Sequence, residues 1–119
     1  MEISAITVIY KLGENMTNNY YVYILTNATN TTVYVGMTYN LEKRMYEHKN
    51  HLVNGFSDHY NTVKLVYYEW TDDKFGALAR EKQLKKWSRI KKDRLINSMN
   101  PDWEDLTNRW NNDIESYLF

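Results

Sequence analysis

The segment from Tyr20 to Met37 constrains the fold more than any other part of the chain. Tyr20-Tyr21-Val22-Tyr23-Ile24-Leu25 is a β-branched and aromatic run, the composition of a strand. Thr31-Thr32-Val33-Tyr34-Val35-Gly36-Met37 repeats that character. Between them, Thr26–Asn30 is rich in Asn and Thr, whose side chains hydrogen-bond nearby backbone and favour turns. Residues 20–37 therefore read as a β-hairpin. Period-two alternation puts Val33 and Val35 on one face and Tyr34 on the other.

The rest of the chain reads as helices around one more strand. Thr38 or Asn40 can cap a helix over Leu41–His51. On it, Leu41, Met45 and Leu52 fall on one side, and Arg44 and His48, four residues apart, share a face. Leu52–Thr62 reads as a loop, with Asn54-Gly55 as its turn signal. Val63–Trp70 is a third strand. Asp72-Asp73 opens a helix from Lys74 to Trp87, because acids suit a helix N-terminus. Ser88 can cap a last helix that runs to Met99 and stops at Asn100-Pro101. Leu78, Leu84, Trp87 and Ile90 are expected in the core. The order is β-β-α-β-α-α, with no βαβ repeat, no glycine-rich phosphate loop and no internal repeat.

A chain of 119 residues makes one domain of ordinary size. Its 43% hydrophobic and 25% charged residues exclude wholesale disorder and coiled coil. No apolar run approaches ~18 residues, so no membrane helix and no membrane partner are expected. No secretory leader is recognisable, which predicts a cytoplasmic protein. With no Cys, disulfides, thiol nucleophiles and thiolate zinc sites are all excluded. Residues 1–18 are expected to be an N-terminal extension, with Ile3–Tyr10 able to add an edge strand. Residues 19–106 form the domain, and 107–119 an acidic, aromatic tail. Trp103, Leu106, Trp110, Ile114 and Leu118 have helical spacing that runs from the end of the domain into that tail, which is expected to be helical.

Lys plus Arg equals Asp plus Glu, at 15 each, so the chain has no global attraction to nucleic acid. The distribution is uneven. Arg80–Arg94 carries eight basic and two acidic residues, a local +6. Asp102–Glu115 carries five acidic residues and one Arg, a local −4. Such a stripe is either a solvated helix face or a phosphate-binding surface, and the tail is able to fold over it.

Tyr23 and Tyr34 lie on paired strands, Arg44 and His48 on one helical face, and Glu81 beside the basic stripe. This set is poor for zinc, which takes several N or S ligands. It suits phosphodiester cleavage, which needs a base for water, positive charge at the phosphorane and help for the leaving oxygen. A lone Glu is enough for Mg²⁺, which keeps waters and borrows phosphate oxygens.

These residues stand in an order that resembles the GIY-YIG nuclease superfamily. Its first motif aligns with Tyr21-Val22-Tyr23 and its second with Tyr34-Val35-Gly36. Arg44 follows ten residues after the second Tyr, and His48 four later. Ala79-Arg80-Glu81-Lys82-Gln83 is similar to the helix bearing the family's metal-binding Glu, and Asn100 aligns with its later Asn. The stretches Tyr46-Glu47-His48-Lys49 and Glu81–Trp87 resemble the small stand-alone bacterial members, whose nuclease domain is like that of the bacterial excision-repair nuclease. Met37 stands where DNA-repair members often carry Lys.

The resemblance implies an α+β fold, a small three-stranded antiparallel sheet flanked by helices, in agreement with the element order. It also implies a metal-dependent DNA endonuclease of repair or processing, using one Mg²⁺ or Mn²⁺. Tyr23 or Tyr34 is then the general base, with Tyr23 preferred and Arg44 and the metal favouring phenolate. Arg44 stabilises phosphate charge, His48 hydrogen-bonds a Tyr or positions water, and Glu81 holds the metal. Gly36 permits close backbone approach, Asn100 braces the last helix, and Lys82, Lys85, Lys86, Lys91 and Lys92 contact DNA phosphates. The plainer readings are an Arg44 ion pair with Glu47 or Glu42, and an i, i+4 pair between Glu81 and Lys85. His51 and His59 read as surface histidines. The alternative function, favoured by Met37 and the zero net charge, is a nucleic-acid-binding module with little or no cleavage.

Overall fold

The computed structural model describes residues 19–110. The candidate strand Ile3–Tyr10 and the tail after Trp110 lie outside the described residues. Three strands, β1 (Tyr20–Thr26), β2 (Val33–Thr38) and β3 (Lys64–Thr71), form one antiparallel sheet in the order β2-β1-β3. The helices are α1 (Leu41–Lys49), the single turn α2 (Phe56–His59), α3 (Lys74–Lys86) and α4 (Arg89–Met99), and residues 107–110 are helical as well. The expected α+β architecture is therefore present, with one difference: the predicted Leu52–Thr62 loop contains α2. A four-residue helix has too little periodicity to announce itself in sequence.

Strand β1 is central, and it is covered on both faces. Tyr21, Tyr23 and Leu25 point to one core with Leu41 and Met45 of α1, Leu65, Leu106 and Trp110. Val22 and Ile24 point to the other, with Val35, Val66, Ala77 and Leu84 of α3 and Ile96 of α4. This is why the strand reads as an almost continuous apolar run rather than an alternating one. Between Ile24 and Leu25 the register to β3 shifts by a bulge. Leu65 then serves the first core while Val66 and Tyr67 both serve the second.

Capping fixes the helix starts. Asn40 accepts from Lys43 N at 3.1 Å, Asp73 from Phe75 N at 3.1 Å, and Ser88 from Lys91 N at 3.2 Å. Two expected core positions, Leu78 and Ile90, and the placing of Leu52 on the Leu41–Met45 side of its helix are corrected. Leu52 lies beyond the end of α1 and is 63% exposed, Leu78 is 38% exposed and Ile90 66% exposed. On α3 the sheet contacts fall on the Ala77–Leu84 stripe, and Leu78 is rotated about 100° from it. Ile90 sits in the first turn of α4, whose buried residue is Ile96. Leu84 is buried and Trp87 partly so, as expected. Leu106 and Trp110 pack in the Tyr23-side core, so the chain up to Trp110 runs to the opposite face of the sheet from α3 and α4.

Candidate active site

The site is built on the hairpin. In the β1–β2 register Tyr23 faces Gly36. A Cβ built on Gly36 falls 2.5 Å from Cζ of the Tyr23 ring, closer than any real contact. The Tyr23 ring thus lies directly over the glycine, and only a residue without a side chain leaves it room. Tyr23 is 1% exposed, whereas Tyr34, on the same face of β2, is partly buried. Their ring centroids are 6.4 Å apart.

His48 comes from α1. Its ring lies 5.9 Å from that of Tyr23 and 5.8 Å from that of Tyr34. Its Nε2 is 3.2 Å from the Tyr23 hydroxyl. On the ring's far side, Nδ1 is 2.8 Å from Ser57 Oγ, which in turn is 2.7 Å from Thr62 Oγ1. His48, Ser57 and Thr62 are all buried. Burial, and next the Arg44 charge, lower the His48 pKa to about 4, against a smaller raising effect of Glu47, so the imidazole is neutral near pH 7.

Burial also raises the Tyr23 pKa well above its usual value. The neighbouring Tyr34 phenol raises it further, Arg44 lowers it, and Glu81 and Glu47 raise it. Arg44 thus acts in the expected direction, toward phenolate, but desolvation outweighs it. Charges from two elements thus act on the Tyr23 hydroxyl, Arg44 from α1 and Glu81 from α3. Of the five residues singled out in the sequence, Tyr23, Tyr34 and His48 are in contact, while Arg44 and Glu81 act on the Tyr23 phenol through their charges.

The plainer interactions are present as well. Arg44 Nε is 3.5 Å from Glu47 Oε1, and Lys85 Nζ is 3.1 Å from Glu81 Oε2. Both are partly exposed pairs, worth only ~0.3–0.5 kcal/mol, so neither holds its residue against a stronger partner such as phosphate or a divalent ion. Among the described residues there is no group of three or more His, Cys, Asp or Glu fit to cage a metal. A partly exposed single carboxylate, Glu81, fits Mg²⁺ or Mn²⁺ instead, since such ions are held by one or two carboxylates plus waters and phosphate oxygens.

Asn100 lies elsewhere and is 2% exposed. Its Nδ2 donates to Val66 O at 3.1 Å and to Glu104 O at 2.8 Å, and its Oδ1 accepts from Glu104 N at 3.1 Å. It ties the end of α4 to β3 and to the following loop. Lys82, Lys85, Lys86 and Lys91 are exposed and Lys92 is partly so. Lys91 Nζ sits 4.4 Å over the Trp87 ring and Arg80 5.3 Å from its centroid. Arg89 is structural, donating to the Thr31 and Asn30 carbonyls of the hairpin turn. His51 and His59 are exposed, as expected.

Four residues around the site were not legible in sequence. Ser57 and Thr62 are buried hydroxyls in what reads as a polar loop. Phe56, half exposed, stacks on Tyr34 at 6.2 Å and 21°, and Tyr60 packs on Phe56 at 4.5 Å. The one available signal was the Asn54-Gly55 turn, which marks where the chain folds back; Gly55 has φ 104°.

Residues 19–94 match the model of the GIY-YIG catalytic domain, so the chain belongs to that family, a family of nucleases. More narrowly, it is similar to UPF0213 proteins, a name that states no activity. It is 42% identical to one from Syntrophus aciditrophicus over 83 residues, covering 69% of this chain and 93% of that protein. It is 38% identical to one from Natronomonas pharaonis over 81 residues, covering 68% and 94%. The solution NMR structure of a UPF0213 protein from Bacillus halodurans is 27% identical, with a TM-score of 0.49, covering 75% of this chain and 94% of that one.

Proposed function

We propose that this protein is a metal-dependent DNA endonuclease of repair or processing, in which Tyr23 and His48 together accept the proton of the attacking water. The observation that carries the reading is the buried contact of the Tyr23 hydroxyl with His48 Nε2 at 3.2 Å, beside the Tyr34 ring. GIY-YIG nucleases act on DNA and generally use a divalent metal, which supports both halves of the proposal.

The raised Tyr23 pKa argues against a standing phenolate. A neutral His48 3.2 Å away removes the need for one. As water attacks phosphorus, its proton passes to the Tyr23 oxygen while the Tyr23 proton passes to His48 Nε2. Tyr23 stays neutral and His48 becomes imidazolium. Tyr34, the less buried phenol, orients the water. Arg44 carries a fixed fork of donors that suits the phosphate oxygens as negative charge builds. Glu81 would hold a divalent ion, which supplies charge neutralisation at the phosphate and the leaving oxygen. The P–O bond to the leaving oxygen breaks as the new bond forms, and that oxygen takes a proton from solvent. Lys82, Lys86, Lys91 and Lys92 bind flanking phosphates without reading sequence.

The test is cleavage of labelled single-stranded, duplex, flap and branched DNA at low salt with Mg²⁺ or Mn²⁺, beside Glu81→Ala. Metal-dependent cutting that the variant loses supports the reading. Salt-sensitive binding with no cutting by the wild type replaces it with a binding module.

A further inference from the structure

The geometry points to Ser57 and Thr62 as positioning residues of the same site: they lock His48 in the tautomer whose Nδ1 carries the proton, leaving Nε2 bare toward Tyr23. Its catalytic consequence rests on the nuclease reading above; the hydrogen-bond assignment does not.

The assignment follows from counting protons along a buried chain. The four contacts of the chain are Tyr23 hydroxyl to His48 Nε2 at 3.2 Å, His48 Nδ1 to Ser57 Oγ at 2.8 Å, Ser57 Oγ to Thr62 Oγ1 at 2.7 Å, and Thr62 Oγ1 to Ser57 O at 3.1 Å; the longer approach of Ser57 Oγ to Thr62 O, at 3.3 Å, is a second outlet for the same Ser57 proton. Each hydroxyl has one proton to give, and a neutral imidazole has one. If Thr62 donates to the Ser57 carbonyl, Ser57 donates to Thr62, to Oγ1 at the shorter distance or to its carbonyl, and has no proton left for His48. Its oxygen then accepts from His48 Nδ1–H, and His48 Nε2 accepts from Tyr23. All four contacts are made by four donors. In the reverse order Thr62 donates to Ser57, Ser57 to Nδ1, and Nε2–H to Tyr23. That order makes only three of the four and leaves the Tyr23 proton outside the chain. Unmade hydrogen bonds in a buried site are costly, so the first order prevails.

The loop is shaped to hold this chain. Gly55, at φ 104°, starts the α2 turn, and Thr62 N donates to Ser57 O at 3.0 Å, closing the loop on itself. Ser57 is 2% and Thr62 0% exposed, so no water competes for the Nδ1 proton. With the opposite tautomer, Nε2–H would point at the Tyr23 oxygen and His48 could take no proton from it.

The experiment is long-range ¹H–¹⁵N NMR of the histidine ring nitrogens in the wild-type protein near pH 7, repeated for Ser57→Ala and Thr62→Val, with Thr62→Ser as the conservative control. A protonated Nδ1 and bare Nε2 at His48 are expected in the wild type and in Thr62→Ser. Both tautomers should be populated in Ser57→Ala. In the cleavage assay, Ser57→Ala should lose at least about tenfold in kcat with KM for DNA unchanged, as expected when a histidine's tautomer is no longer held. A wild-type spectrum with the proton on Nε2 overturns the assignment, as does a folded Ser57→Ala protein that keeps the pure Nδ1–H form. If Ser57→Ala does not fold, the wild-type spectrum and Thr62→Val decide the matter. A wild type that does not cut DNA contradicts the nuclease reading alone, because the NMR result stands without activity.

Discussion

The hydroxyl end of Tyr23 rests on the Cα of Gly36, the residue opposite it across the hairpin. The two motifs of the family are thus parts of one contact: the tyrosine of the first needs the glycine of the second. Gly36→Ala forces the Tyr23 ring off its position and away from His48. The expected outcome is overpacking that costs about 1–3 kcal/mol, read as a lower denaturation midpoint, together with loss of cleavage. An alanine variant with wild-type stability and activity would show that the ring has room to spare.

His48 predicts an acid limit to stability. Its folded pKa is lowered to about 4 from 6.5, so the unfolded chain binds its proton first as pH falls. Stability from this group is complete above pH ~6.5 and is lost progressively between ~6.5 and ~4, by up to ~3 kcal/mol. Urea unfolding across that range should show the decline, and His48→Gln should flatten it. An equal slope in both proteins would place the pH dependence elsewhere.

Asn100 should matter for stability rather than chemistry. Asn100→Ala strips partners from the Val66 carbonyl and from the backbone of Glu104. Each buried group left unpaired costs about 1–3 kcal/mol, so the variant should unfold at clearly lower denaturant. At a temperature where it remains folded, its cleavage rate should equal the wild type's.

The lysines should act through salt. Lys82 and Lys86 are exposed on α3, and Lys85 alone is engaged with Glu81. Replacing Lys82 and Lys86 together by Ala is expected to weaken DNA binding equally for all sequences. It should also reduce the slope of log affinity against log salt by up to about 2. An unchanged slope would move the phosphate-binding surface off α3.

Much of the frame was readable because it rests on local rules. The β-branched hairpin, the caps Asn40, Asp73 and Ser88, and the stop at Asn100-Pro101 each depend on a few adjacent residues. What the sequence hid depends on contacts between distant residues. The bulge that turns Val66 and Tyr67 to one side arises from pairing with β1. Ser57 and Thr62 look like solvated loop residues until His48 is placed beside them. Arg44 and Glu81 could be named as a pair with Tyr23 from motif order, but not the balance between them. Desolvation of the phenol, which a sequence does not reveal, outweighs the favourable Arg44 charge. Ile90 and Leu78 misled for the same reason, since helical apolarity does not say which side meets the sheet.

The central claim is that Tyr23 and His48 carry the proton together, and it is tested most directly by single-turnover cleavage of one labelled DNA with saturating Mg²⁺ or Mn²⁺. Wild type should be compared with Tyr23→Phe, Tyr34→Phe and His48→Gln. The account predicts that Tyr23→Phe and His48→Gln each lose about 10²–10⁴-fold, that the double variant loses little more than either alone, and that Tyr34→Phe is the mildest of the three. Cleavage by Tyr23→Phe at the wild-type rate would contradict it.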